Sequence, residues 1–174
     1  MTGRNDDGNA VITRVLDGPD PGVPWRSRLR AQRALLLVTG GRRWDESVEQ
    51  AQLAIAEGER DGDPVTVGLA LHTLMQAASG TDALEIVDRG LRVVVGADPE
   101  SMDLRLLFLT NRLVALSNLH RLAEFEAALT STIALAESQG LLAWLGSSVI
   151  AALTLWTTAT GTGLCCIWTR HLIR

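Results

Sequence analysis

The sequence predicts an all-α fold, arranged as an α-solenoid of about three helical hairpins followed by an unpaired C-terminal helix. An internal echo is its strongest sign. Val48, Ala51 and Ile55 recur 36 residues later as Leu84, Val87 and Leu91. Leu71, Leu74 and Ala78 recur 35 residues later as Leu106, Leu109 and Leu113, and the turn pair Asp63-Pro64 returns as Asp98-Pro99, again 35 on. Two helices per unit of about 35 residues is what stacked hairpins produce, because one hairpin cannot bury its apolar face alone. Composition agrees. The 47% of hydrophobic residues rest on Leu, Ala and Val, while aromatics reach 4% and Tyr is absent. Sheets draw on more β-branched and aromatic side chains. At 174 residues the chain suits one domain with a sizeable core.

Residues 1–24 gather Gly, Asp and Pro, as in Asp17-Gly18-Pro19-Asp20-Pro21-Gly22, around a short apolar run at 10–16. They read as a flexible lead-in with a single turn of helix. The repeat domain spans 25–156. Its first helix runs from about 25 to 39, with Leu29 and Leu36 on one face, and Gly40-Gly41 stops it. Asp45 caps the second, whose early Glu46, Glu49 and Gln50 suit the positive end of a helix dipole, and which ends near Gly62. Asp63 as cap with Pro64 in the first turn starts the third, which ends at Ser79-Gly80. Thr81 or Asp82 opens the fourth, through Val95, and Asp98-Pro99-Glu100 opens the fifth, to about Leu119. The sixth covers roughly 122–138 and is closed by Gly140. Its echo slackens, since Leu122, Phe125 and Leu129 follow Leu84, Val87 and Leu91 by 38. A seventh begins near Leu141 and carries Trp144, Leu145, Val149, Leu153 and Trp156. Ala54, Ala70, Ala115 and Ala128 are small enough to let neighbouring helices approach.

All 16 basic residues are Arg, so neither a lysine Schiff base nor a P-loop lysine is available. A net charge of −4 disfavours direct nucleic-acid binding, which needs a basic face. Two adjacent cysteines, Cys165 and Cys166, and the lack of a signal-peptide h-region in the largely polar first twenty residues point to a reduced, cytoplasmic setting without a secretory signal.

Asp103-Leu104-Arg105-Leu106-Leu107, Asn111-Arg112-Leu113-Val114-Ala115-Leu116, Asn118-Leu119 and Leu122-Ala123-Glu124 form a string with a family likeness. It resembles the tetratricopeptide-like region of large actinobacterial LuxR-type transcriptional regulators that carry an ATPase module. Gly40-Gly41-Arg42-Arg43-Trp44-Asp45-Glu46 resembles the same family's hairpin turn. The likeness covers about 25–156 and implies a tetratricopeptide-like solenoid acting as a regulator's protein-interaction or sensor module. The family's ATPase loop needs a lysine that this chain lacks, and its DNA-binding helices would follow the repeats. Neither activity carries over, and the resemblance implies a fragment, a truncated paralogue or a stand-alone repeat domain.

Candidate sites are sparse. The acidic pairs Glu57/Glu59, Asp6/Asp7 and Asp45/Glu46 lie beside no His, and read as solvated helix faces or caps. His72, His120 and His171 are far apart without metal-ligand spacing, and Cys165, Cys166 and His171 lack a fourth ligand. No nucleophile and base stand together, so no catalytic residue, metal or cofactor is expected and the chain does not read as an enzyme. First helices of hairpins line the inner groove of such solenoids. His72 and Gln76 on one, with Arg105, Asn111 and Arg112 on the next, offer donors for an acidic peptide or small anion. Their structural reading is that the arginines pair with neighbouring acids and Asn111 bonds a backbone carbonyl.

Between Glu137 and Arg170 no residue is charged. Residues 141–169 therefore offer an alternative, a membrane-anchored helical-repeat adaptor, although 157–163 is rich in Thr and Gly and makes a poor helix. Residues 157–174 form an atypical tail that departs from the vocabulary of the repeats, as a frameshifted or truncated reading of a longer gene would. An uncapped last helix would promote self-association through Leu145, Leu153 and Trp156.

Overall fold

The computed structural model describes residues 3–23, 25–40, 43–96, 98–138 and 140, and among these the fold is all-helical. The helices are α1 (Gly3–Leu16), α2 (Trp25–Thr39), α3 (Trp44–Asp61), α4 (Pro64–Ala77), α5 (Gly80–Val93), α6 (Pro99–Asn118) and α7 (Leu122–Ser138). The chain divides into two compact units, Met1–Phe108 and Leu109–Arg174, with the boundary inside α6. The seventh helix of the sequence reading, its residues Leu145, Leu153 and Trp156, the 141–169 anchor and the 157–174 tail lie outside the described residues. Among the described residues no helix is long and apolar enough to cross a membrane.

In the first unit each helix packs on the next, α1 on α2, α2 on α3, α3 on α4 and α4 on α5, and α2 also packs on α4. The core joins Ala31 and Ala34 of α2, Ala51, Ala54 and Ile55 of α3, and Val67, Ala70 and Leu71 of α4, with Val87, Val94, Leu104 and Phe108. On α2 the buried stripe is Ser27, Ala31, Ala34 and Val38. Leu29 and Leu36, expected to mark the core face, are half-buried instead. Small residues let α2 lie close to its neighbours, and the Ser47 hydroxyl of α3 donates to the Ala34 carbonyl at 2.8 Å across that gap. Glycine does the same for larger partners. A Cβ on Gly90 would fall on the ring of Phe108, which is fully buried, and one on Gly68 would sit 2.6 Å from Val94. Both positions need the missing side chain so that α6 and the turn before it can seat.

The start signals hold with exceptions that have local causes. Asp63 caps α4 and Asp98 accepts from the Ser101 N–H at 2.9 Å at the head of α6. Asp45 is not the cap of α3. Arg43 holds that position without a side-chain cap bond, and Asp45 lies in the first turn, where it still meets the dipole. Helix α4 stops at Ala78 in extended backbone, and α5 starts at Gly80 behind Ser79. Gly62 closes α3 in the left-handed conformation at φ 67°, its N–H reaching Glu59 and the Asp63 N–H reaching Gly58.

The lead-in with one turn of helix is corrected by α1, which is 14 residues long. Its propensity is poor, with Asp6, Asp7, Gly8 and Asn9 in succession, so tertiary contact supplies what the local sequence does not. In the second unit, Leu113, Leu116, Phe125 and Leu129 are buried. Its turn is closed by His120 at φ 55°, with the His120 N–H on Ser117 and the Arg121 N–H on Leu116. A non-glycine residue in that region costs about 1 kcal/mol.

Candidate partner-binding surface

The site expected from sequence draws on two helices. On α4, Gln76 is exposed and His72, one turn earlier, is half-buried. The His72 Nδ1 atom is enclosed without a hydrogen-bond partner, and burial holds the imidazole below its ordinary pKa, so it stays neutral near pH 7. Arg105 lies half-buried on the part of α6 in the first unit. Asn111 and Arg112, also half-buried, belong to the second unit, and both are engaged in interactions. The five residues are thus split between the units. Gln76 and His72 share one helix, and Arg105 stands on another.

Sequence reasoning missed the best-defined polar network of the first unit. Arg28 of α2 grips Asp63, the cap of α4, with Nε on Oδ2 at 2.8 Å and Nη2 on Oδ1 at 3.4 Å. Asp63 also accepts from the Val65 and Thr66 N–H groups at 3.1 and 3.3 Å and from the Thr66 hydroxyl at 2.8 Å. Burial alone would raise the Asp63 pKa, but the hydrogen bonds from Arg28 and Thr66 outweigh it and hold the carboxyl below its usual value. The other guanidinium arm reaches Glu100 in the first turn of α6 at 3.2 Å. One arginine therefore ties the heads of α2, α4 and α6. The separation of Arg28 from Asp63, 35 residues, was the available signal, since it equals the period of the echo.

Other arginines bridge helices. Arg30 meets Glu57 at 3.1 Å and the Gln50 side chain at 3.1 Å. Arg33 meets Glu46 at 2.6 Å, Arg43 pairs with the same carboxylate, and Arg89 meets Glu59 at 2.8 Å. Of the acidic residues singled out in the sequence, Glu46, Glu57 and Glu59 act as partners for arginine. Among the described residues no three His, Cys, Asp or Glu side chains converge where a metal could be held. Cys165, Cys166 and His171 lie outside the described residues. A cavity of about 360 Å³ opens beside α1, lined by Asn5, Asp6, Asn9, Leu36, Leu37, Gly40 and Arg43. Comparison with protein-family models, curated proteins and solved structures yields no match.

Proposed function

We propose that the chain is a tetratricopeptide-like solenoid working as a non-catalytic protein-interaction or sensor module, of the kind found in LuxR-type transcriptional regulators. The observation that carries this reading is the Arg28 tie. It joins the heads of α2, α4 and α6 at the spacing of the sequence period, which suits helices that each open a hairpin in such a repeat. The packing of α2 on both α3 and α4 supports it further, because first helices in a solenoid lie against their own partner and against the next first helix. Such a scaffold holds side chains of consecutive first helices on one surface, and extended or helical peptides are its natural ligands. Gln76 and Arg105 are the donors best suited to an acidic peptide there.

An array of acidic and neutral peptides probed with the purified chain tests the reading. Acidic peptides should be retained in preference to neutral ones. Arg105→Ala should weaken retention at least about tenfold, in line with about 1.5–3 kcal/mol for a charge-assisted bond. Arg92→Ala, on the exposed side of α5, should leave it unchanged. Equal loss in both variants, or no retention of any peptide, would sink the proposal.

A further inference from the structure

We propose that α1 is an exchangeable helix, and that its seat on α2 also accepts the α1 of a second copy of this chain. The side-chain contacts that hold α1 lie on one stripe and reach one helix. Ile12 and Leu16 are buried, and Gly8 lies against Leu36, where an added Cβ would sit 3.2 Å from Leu36 Cδ1. The Asn5 amide donates to the Thr39 hydroxyl at 3.3 Å, and Asn9 Oδ1 accepts from Arg33 Nε at 3.3 Å. Positions 5, 8, 9, 12 and 16 recur at helical spacing, so the stripe is one continuous face.

Among α2–α5, α1 packs on α2 alone, whereas α4 packs on α2, α3 and α5. A helix with one partner, two buried aliphatic side chains and a Gly in its middle opens at a lower free energy than the helices behind it. Opening would expose Ile12 and Leu16 beside Val11 and Val15, which are already 57% and 40% exposed. It would also strip the α2 seat around Leu36. Two faces left bare by the same event match each other by construction.

The connection to α2 is built to permit exchange. It holds Gly18, Pro19, Pro21 and Gly22, with Gly22 at φ 79°; an Asp20 cap on the Gly22 N–H, the Arg26 N–H on the Gly22 carbonyl at 3.2 Å and an exposed pair of Asp20 with Arg26 at 3.7 Å are its contacts at the α2 end. In an exchanged dimer every α1–α2 contact reforms between copies and the connection alone changes, which makes exchange of an identical element inexpensive. This inference stands on the α1–α2 packing and does not require the solenoid reading.

A synthetic peptide of residues 3–16 serves as the probe on the full chain. Lys is absent, so an amine-directed dye on the full chain marks the α-amino group of Met1 beside α1 and no side chain. Sedimentation velocity of the dye-labelled chain should show a dimer, and excess peptide should raise its apparent dissociation constant at least tenfold. The same peptide carrying Gly8→Leu should compete at least tenfold more weakly, because the larger side chain lies against Leu36 and displaces it. Hydrogen exchange should show α1 amides opening at least tenfold faster than those of α4. Three results would each overturn the proposal: no dimer, a dimer indifferent to the wild-type peptide, or α1 exchanging as slowly as α4.

Discussion

Helix α2 packs on α1, α3 and α4 in the first unit, and its junctions with α4 and α1 are built differently. Toward α4 it offers the Arg28 grip on Asp63, a carboxylate with five hydrogen bonds from Arg28, Thr66 and Val65. Toward α1 it meets two buried aliphatic side chains and two long polar contacts. The Asp-Pro start of α4 recurs at α6 as Asp98-Pro99, although α4 carries no arginine to repeat the grip, while α1 echoes nothing. A repeated interface can be cooperative because each helix has partners on more than one side, whereas a helix with one partner can leave without disturbing the rest.

The largest break should come deep in the stacked part. Phe108→Ala removes the ring that lies over Gly90 and should cost about 3–5 kcal/mol, read as a cooperative drop in the urea midpoint. Asp63→Ala comes next. It loses a helix cap worth about 1 kcal/mol and leaves the half-buried Arg28 guanidinium with Glu100 as its one carboxylate, so a total near 2 kcal/mol is expected, again in one transition. Leu16→Ala sharpens the contrast. It should remove helical signal and exchange protection from α1, yet shift the main transition by less than about 1 kcal/mol. A single cooperative loss for all three variants would erase the distinction between the junctions.

Acid should separate the contributions of two groups on the α4 side. The His72 pKa is depressed in the folded chain, so the unfolded chain binds the proton more readily and stability falls as pH drops through about 6.5. His72→Gln should flatten the urea midpoint between pH 7.5 and 5.5. Asp63 is also depressed, so its contribution is complete above its ordinary value of 3.8 and is lost as pH falls through the lower folded value. Asp63→Asn should remove that more acidic loss and leave the first one intact. The smallest effect belongs to the turn between α6 and α7. His120→Gly relieves the left-handed backbone and should raise stability by about 1 kcal/mol, seen as a small rise in Tm.

How much could be read beforehand varied with the kind of signal. Asp63-Pro64 and Asp98-Pro99 located the heads of α4 and α6 because a cap and a proline act within three residues. The Arg43 start of α3 escaped, since Asp45 one residue inside the helix carries the same local chemistry as a cap. Helix α1 escaped for a different reason. Its residues are weak helix formers, and Leu36, Arg33 and Thr39 of α2 provide the support. Of the candidate surface, the identity of the polar residues on α4 and α6 was legible. The enclosure of His72 Nδ1 was not, because burial depends on what other helices place around it.

By itself the sequence determined the all-helical class, the period of about 35 residues and most helix boundaries. These follow from propensity, capping and apolar spacing, which act over a few neighbouring residues. The tertiary structure decided which residues of α2 form the core, why Gly90 and Gly68 must lack a side chain, and that Arg28 ties three helix heads together. Those outcomes join residues tens of positions apart, and their energies exist only once the helices have met.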